Sequence, residues 1–167
     1  MKPLCVSFVE QDPQLAEKVL SHLEIAGIEA HHCQHPEALV AQHSQQAFDV
    51  VVLDADTLGE QGLTLAGQLA KHPELRVVMI SQAAEPQDRI AAIAAGADVC
   101  LTKPFNPTEL IAIIHRLASR LPRTLKTGWT IDPVRALLTG PANNAIGLTA
   151  METVLLTQLA MAPEQAL

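Results

Sequence analysis

Five short apolar runs recur along the chain: Leu4 to Val9, Ile28 to Cys33, Val50 to Asp54, Val77 to Ser81 and Val99 to Thr102. Continuous apolar runs of this length predict strands buried on both faces, and apolar stripes with a 3.6-residue period predict helices. Asp12-Pro13 reads as a helix start, an N-cap acid followed by proline at the first helical position. Leu15, Val19, Leu20 and Leu23 then share one face, and Gly27 closes the helix. A second helix is predicted over Pro36 to Gln42, and a third carries the stripe Leu65, Ala66, Leu69 and Ala70. A fourth carries Ile90, Ile93 and Ala94 and is closed by Gly96. A fifth has Pro107 within its first turn and carries Leu110, Ile113, Ile114 and Leu117. Strict β–α alternation, five times over, predicts a doubly wound five-stranded parallel sheet with helices on both faces.

The pattern changes period after Gly128. WTIDP, RALLTG and AIGLT read as three short strands separated by Pro133, Gly140-Pro141 and Asn143-Asn144. Thr149 and Glu152 form a capping box that opens a helix whose period runs through Val154, Leu155, Gln158 and Leu159, with Pro163 ending it. Between the two patterns, SRLPRTLKTG (residues 119–128) is polar and broken by Pro122 and Gly128. We read 121–128 as a linker, with one domain over 1–120 and a second segment over 129–167.

Charge follows the same division. Residues through Ala118 carry 7 Lys+Arg against 15 Asp+Glu, and the remainder carries 4 against 3. An acidic front half is a poor partner for a phosphate backbone. No apolar run approaches the length needed to span a bilayer, so no membrane partner is expected. Cys5, Cys33 and Cys100 are odd in number and unpaired in spacing, which fits a reducing, cytoplasmic setting.

In open parallel sheets, chemistry gathers where the strands' carboxyl ends emerge. Those ends are Glu10-Gln11-Asp12, Asp54, Ser81 and Lys103. Carboxylates held close can bind Mg²⁺ through hard oxygen ligands, and one beside the metal can attack phosphorus to give an aspartyl phosphate. An ammonium and a hydroxyl then neutralise the phosphoryl oxygens. Ser81 also suits a turn, and Asp12 is better read as a helix cap than as a pocket acid. No GxGxxG follows the first strand and no Ser-His-acid order is present, so an enzyme is not expected.

VEQD, DVVVLDADTLGEQGL, VVMIS, GADVCLTKPF and the following NPTEL resemble the motifs of the response-regulator receiver family over residues 1–120. The resemblance implies a CheY-like fold. It also implies that Asp54 is the phospho-acceptor, that Lys103 and Ser81 contact the phosphoryl group, and that Glu10 is a pocket acid. It further implies that Asp56 offers its backbone carbonyl to the metal and that the Lys103-Pro104 bond is cis. A sensor histidine kinase is the implied partner. Homodimerisation is implied through the fourth helix, fifth strand and fifth helix of the alternation.

Several positions depart from the family pattern. Gln11 replaces the second acid, the usual direct metal ligand. Losing one unit charge a few ångströms from Mg²⁺ costs roughly 1–4 kcal/mol, which weakens binding about tenfold to nearly a thousandfold. Cys100 replaces an aromatic ring that reports movement of the hydroxyl residue. Leu58 and Gln61 depart on the loop after Asp54. Arg89 and Glu109 match a charge pair of the dimer face, whereas Ile113 and Val99 replace charged residues there, and Asp98 reads as surface or interface. The expectation is a receiver whose output depends weakly or not at all on phosphate, with Mg²⁺ binding weakened.

His31, Cys33 and His35 share one face of an extended strand, which suits Zn²⁺ in type but lacks a fourth ligand; a polar strand end is the plainer reading. Residues 129–167 resemble the opening of an OmpR/PhoB-type winged helix, a small antiparallel sheet plus one helix. No recognition helix follows, so DNA binding is expected only in a longer form with the complete winged helix. The chain then reads as a two-component transcription regulator without its reader. The alternative is a stand-alone adaptor acting through the fourth and fifth helices.

Overall fold

The computed structural model describes residues 3–82, 85–124, 128–141 and 144–161. The chain forms two compact units, Pro3–Ala118 and a second from Ser119 onward.

The first unit is a parallel sheet of β1 (Cys5–Val9), β2 (Glu29–Cys33), β3 (Val50–Asp54), β4 (Arg76–Ser81) and β5 (Val99–Thr102), in the order β2-β1-β3-β4-β5. Helices α1 (Pro13–Ile25), α2 (Pro36–Gln45), α3 (Ala55–Leu58), α4 (Glu60–Leu69), α5 (Pro86–Ala95) and α6 (Pro107–Ala118) complete it. The apolar runs are the buried strands: every residue of β1 and β3 is buried. The strand starts shift by one position, with Leu4 and Ile28 preceding β1 and β2 and Arg76 opening β4. Phe8, Leu53, Met79 and Ile80 are fully buried, and each such side chain contributes about 1.5–3 kcal/mol relative to exposure.

Local signals in α1 act as read. The Asp12 carboxylate accepts from the N–H groups of Gln14 (2.9 Å) and Leu15 (3.5 Å), and Pro13 is the first helical residue. The segment after β3 differs from its prediction of one helix. A single turn, α3, is capped by the side chain of Asp54 and ends at Gly59, whose φ of +53° favours glycine. The chain then restarts as α4.

The fourth-helix stripe needs correction. Ala92 is the residue of α5 that enters the core, while Ile90 and Ile93 are exposed. With only ten residues, four of them alanine, α5 needs little apolar area to seat itself. Its isoleucines therefore form an outward face.

The second unit is an antiparallel sheet of β6 (Arg123–Thr124), β7 (Thr130–Asp132), β8 (Leu137–Thr139) and β9 (Ala145–Gly147), followed by α7 (Ala150–Met161). Within the segment read as a linker, Arg123 and Thr124 pair with Ile131 and Thr130 as a fourth strand. Polar, proline-flanked residues concealed a two-residue edge strand. The capping box is formed, with Thr149 N–H donating to Glu152 Oε2 (2.8 Å) and Glu152 N–H to Thr149 Oγ1 (3.3 Å). Ile131 and Leu121 are buried, but the α7 stripe is not, because Val154, Leu155 and Leu159 are exposed and Thr153 is the residue turned inward. Pro163 and Asn143 lie outside the described residues.

Candidate functional site

The carboxyl ends of β1, β3, β4 and β5 bring Glu10, Asp54, Ser81 and Lys103 to one edge of the parallel sheet. The parallel registers do this: Asp54 lies opposite Ile80, and Ser81 opposite Thr102. Glu10 follows β1, Asp54 and Ser81 end their strands, and Lys103 follows β5 with its N–H donating to the Ser81 carbonyl (2.9 Å). Glu10, Asp54 and Ser81 are buried. The Lys103 ammonium is paired with Asp54 Oδ2 and lies 3.1 Å from Asp56 Oδ2. The Lys103-Pro104 bond is cis.

Electrostatics divide the acids. Burial, reinforced by the neighbouring Asp54 carboxylate, raises Glu10 to about 7, against the pull of the Asp12 N–H on Oε1 (2.9 Å). Glu10 Oε2 is buried with no donor to satisfy it. A proton on that oxygen satisfies it by donating toward Asp54. Burial alone would push Asp54 up, but the Glu10 carboxyl, the Lys103 ammonium and the Asp56 N–H (2.9 Å) together hold it below the usual carboxylate range. Lys103 is raised, because its two carboxylate partners outweigh its desolvation.

The donor set suits a hard divalent cation: the carboxylates of Glu10 and Asp54 and the carbonyl of Asp56, with the orphaned Glu10 Oε2 as the oxygen most in need of a positive partner. Gln11 is exposed and adds no charge. Asp12 is committed to capping α1.

One site residue was underestimated. Asp56 was expected to contribute only its carbonyl, yet its carboxylate accepts from Ser81 Oγ (3.1 Å) and from the Gln82 N–H (2.9 Å to Oδ2), besides facing Lys103. The signal for this was the second acid in LDADT, two residues past the strand end.

The histidine-rich segment does not bring His31, Cys33 and His35 together as a ligand set, in keeping with the plainer reading of a polar strand end. The Cys33 thiol is buried, donates to Gln42 Oε1 (2.8 Å) and lies 3.3 Å from Ser7 Oγ, and His35 is exposed ahead of α2. His31 instead pairs with Glu29 (3.2 Å), and these two lie near Cys5.

On the expected dimer face, Pro86, Arg89, Ile90, Ile93, Ala94 and Cys100 line an open groove of about 510 Å³. Here the fourth helix of the alternation is α5 and the fifth is α6.

A doubly wound sheet in this strand order, with acid, aspartate, serine and lysine at its carboxyl edge, defines a receiver-class α/β domain. The response regulator receiver domain profile matches residues 6–115. The chain belongs to that family, whose members bind Mg²⁺ at acidic residues. Among relatives, it is 29% identical over 168 residues to the transcriptional regulatory protein AruR of Pseudomonas aeruginosa, an alignment covering 90% of this chain and 69% of AruR. It is 34% identical over 113 residues to the transcriptional activator protein PfeR of the same organism, covering 68% of this chain and 37% of PfeR. The chain thus spans well under half of PfeR. The fold matches the BeF3-activated DrrB receiver domain with a TM-score of 0.63 at 27% identity, covering 71% of this chain and 99% of that one. Among the described residues, no helix is long and apolar enough to cross a membrane.

Proposed function

We propose that the chain is the receiver portion of a two-component transcription regulator, with Asp54 as phospho-acceptor and an output that depends weakly on phosphate. An Asp54 carboxylate oxygen attacks the phosphorus of a kinase phosphohistidine, the P–N bond breaks with its electron pair returning to the imidazole, and an aspartyl phosphate forms. The ammonium of Lys103 and the hydroxyl of Ser81 meet the transferred oxygens. Mg²⁺, when held by Glu10, Asp54 and the Asp56 carbonyl, supplies charge neutralisation for the phosphoryl group. The observation that carries this reading is the buried Asp54 carboxylate paired with Lys103 at the strand edge.

Weak dependence follows from Gln11, which withholds one charge from the metal, and from Cys100, which is too small to relay movement of Ser81 as an aromatic ring does. Acetyl phosphate with Mg²⁺, followed by intact mass over time, tests this. Slow, partial gain of one phosphoryl group is expected. Rapid stoichiometric labelling overturns the weak dependence.

The exposed Ile90 and Ile93 beside Arg89 favour a second copy of this chain as occupant of the α5–β5–α6 face. The same face serves the adaptor reading. The apolar face left open by α7 supports the second unit as the start of a larger winged-helix domain, and DNA binding is proposed only for that longer form.

A further inference from the structure

We propose that the Asp56 carboxylate occupies the phosphoryl-oxygen position of this pocket, holding the Ser81 hydroxyl, the Gln82 N–H and the Lys103 ammonium that a phosphoryl group on Asp54 requires. The inference rests on the reading of Asp54 as acceptor and adds a regulatory consequence to it.

Three elements send donors to this one carboxylate. Ser81 Oγ from the end of β4 lies 3.1 Å from Oδ1, the Gln82 N–H from the following loop reaches Oδ2 at 2.9 Å, and Lys103 Nζ from beyond β5 lies 3.1 Å from Oδ2. A hydroxyl, a backbone N–H and an ammonium converging on paired oxygens form a site for an oxyanion. Asp56 fills it from within. An acid in the first turn of a surface helix ordinarily points to water, yet this side chain is only 31% exposed. The turn of α3 explains its reach: Asp54 Oδ1 accepts the Asp56 N–H at 2.9 Å, so acceptor and stand-in are clamped side by side.

Two consequences follow. Ser81 and Lys103 are engaged by a carboxylate of this chain itself. An incoming phosphoryl group must also displace a like-charged carboxylate from its donors. The displacement is a second handicap, independent of Gln11, and it acts on the phosphoryl oxygens instead of on the metal.

Beryllium fluoride with Mg²⁺, titrated against the full chain and read by thermal shift and ¹⁹F NMR, tests the proposal. D56N keeps the shape and removes the charge, and D56A removes the side chain; both are first checked for cooperative melting. Each is expected to bind beryllium fluoride about tenfold more tightly than the native chain, the order supplied by removing one unit charge a few ångströms away. Without any ligand, D56A is expected to shift the Gln82 amide resonance, since that N–H loses its charged acceptor. Equal affinity in the native chain and both variants overturns the inference, as does an unmoved Gln82 amide. D54N separates the two readings. If D54N binds as well as the native chain, the acceptor assignment fails; if D54N abolishes binding while D56N changes nothing, only the Asp56 inference fails.

Discussion

Glu10 and Asp54 share one buried space at the sheet edge, and their titrations are pushed in opposite directions: Glu10 rises to about 7 while Asp54 falls. Two buried carboxylates served by a single ammonium favour sharing a proton, which is given up as pH climbs through about 7.

The sign of the pH dependence follows. Glu10 is raised in the folded state, so its contribution is fully present below the ordinary value of 4.5 and is lost as pH climbs through about 7. The lowered Asp54 acts in the acid range, below this window. In EDTA, the melting temperature is expected to decline between pH 5 and pH 8 by several degrees more in the native chain than in E10Q. Parallel melting curves for the two proteins across that range would contradict the shared-proton arrangement.

Restoring the missing acid addresses the metal. Gln11→Asp places a carboxylate beside Glu10, and calorimetric titration with Mg²⁺ is expected to show affinity raised about tenfold or more. An unchanged affinity would mean that position 11, exposed in this fold, does not reach the ion.

Gly96 is a structural requirement. Its φ is +129°, and a Cβ there would lie 2.6 Å from Ala70 Cβ and 3.1 Å from the Ala66 carbonyl oxygen. Gly96→Ala is expected to cost about 2 kcal/mol or more, lowering the melting temperature by roughly 4 °C or more. A loss under about 1 kcal/mol would show that α4 and α5 separate easily.

The outward isoleucines of α5 predict self-association. If a second copy covers this face, I90E together with I93E converts dimer to monomer in sedimentation velocity while the variant still melts cooperatively, because neither side chain enters the core. A native chain that is monomeric at high concentration contradicts the dimer proposal.

Much of the fold was legible because β1, β3 and β4 are buried on both faces and so had to be written in apolar residues. The site was legible for the same reason: in a parallel sheet each polar residue that ends an apolar run emerges at one edge, which placed Glu10, Asp54, Ser81 and Lys103 together. What stayed hidden depends on geometry that periodicity does not carry. Ile90 and Ile93 have helical spacing, but spacing cannot say which face of α5 meets the sheet, and Ala92 was small enough to be overlooked. The break between α3 and α4 turns on one positive φ at Gly59. Asp56 looked like an ordinary first-turn acid until the ends of β4 and β5 brought donors to it.

Borohydride trapping reaches the central claim most directly. An acyl phosphate on Asp54 is reduced to the alcohol, converting residue 54 to homoserine, and peptide mass mapping after acetyl phosphate and Mg²⁺ reads the position. Homoserine at position 54, absent from D54N, is the predicted result. Prolonged phosphodonor treatment that leaves residue 54 unmodified, or that marks another carboxylate equally in D54N, would contradict the account.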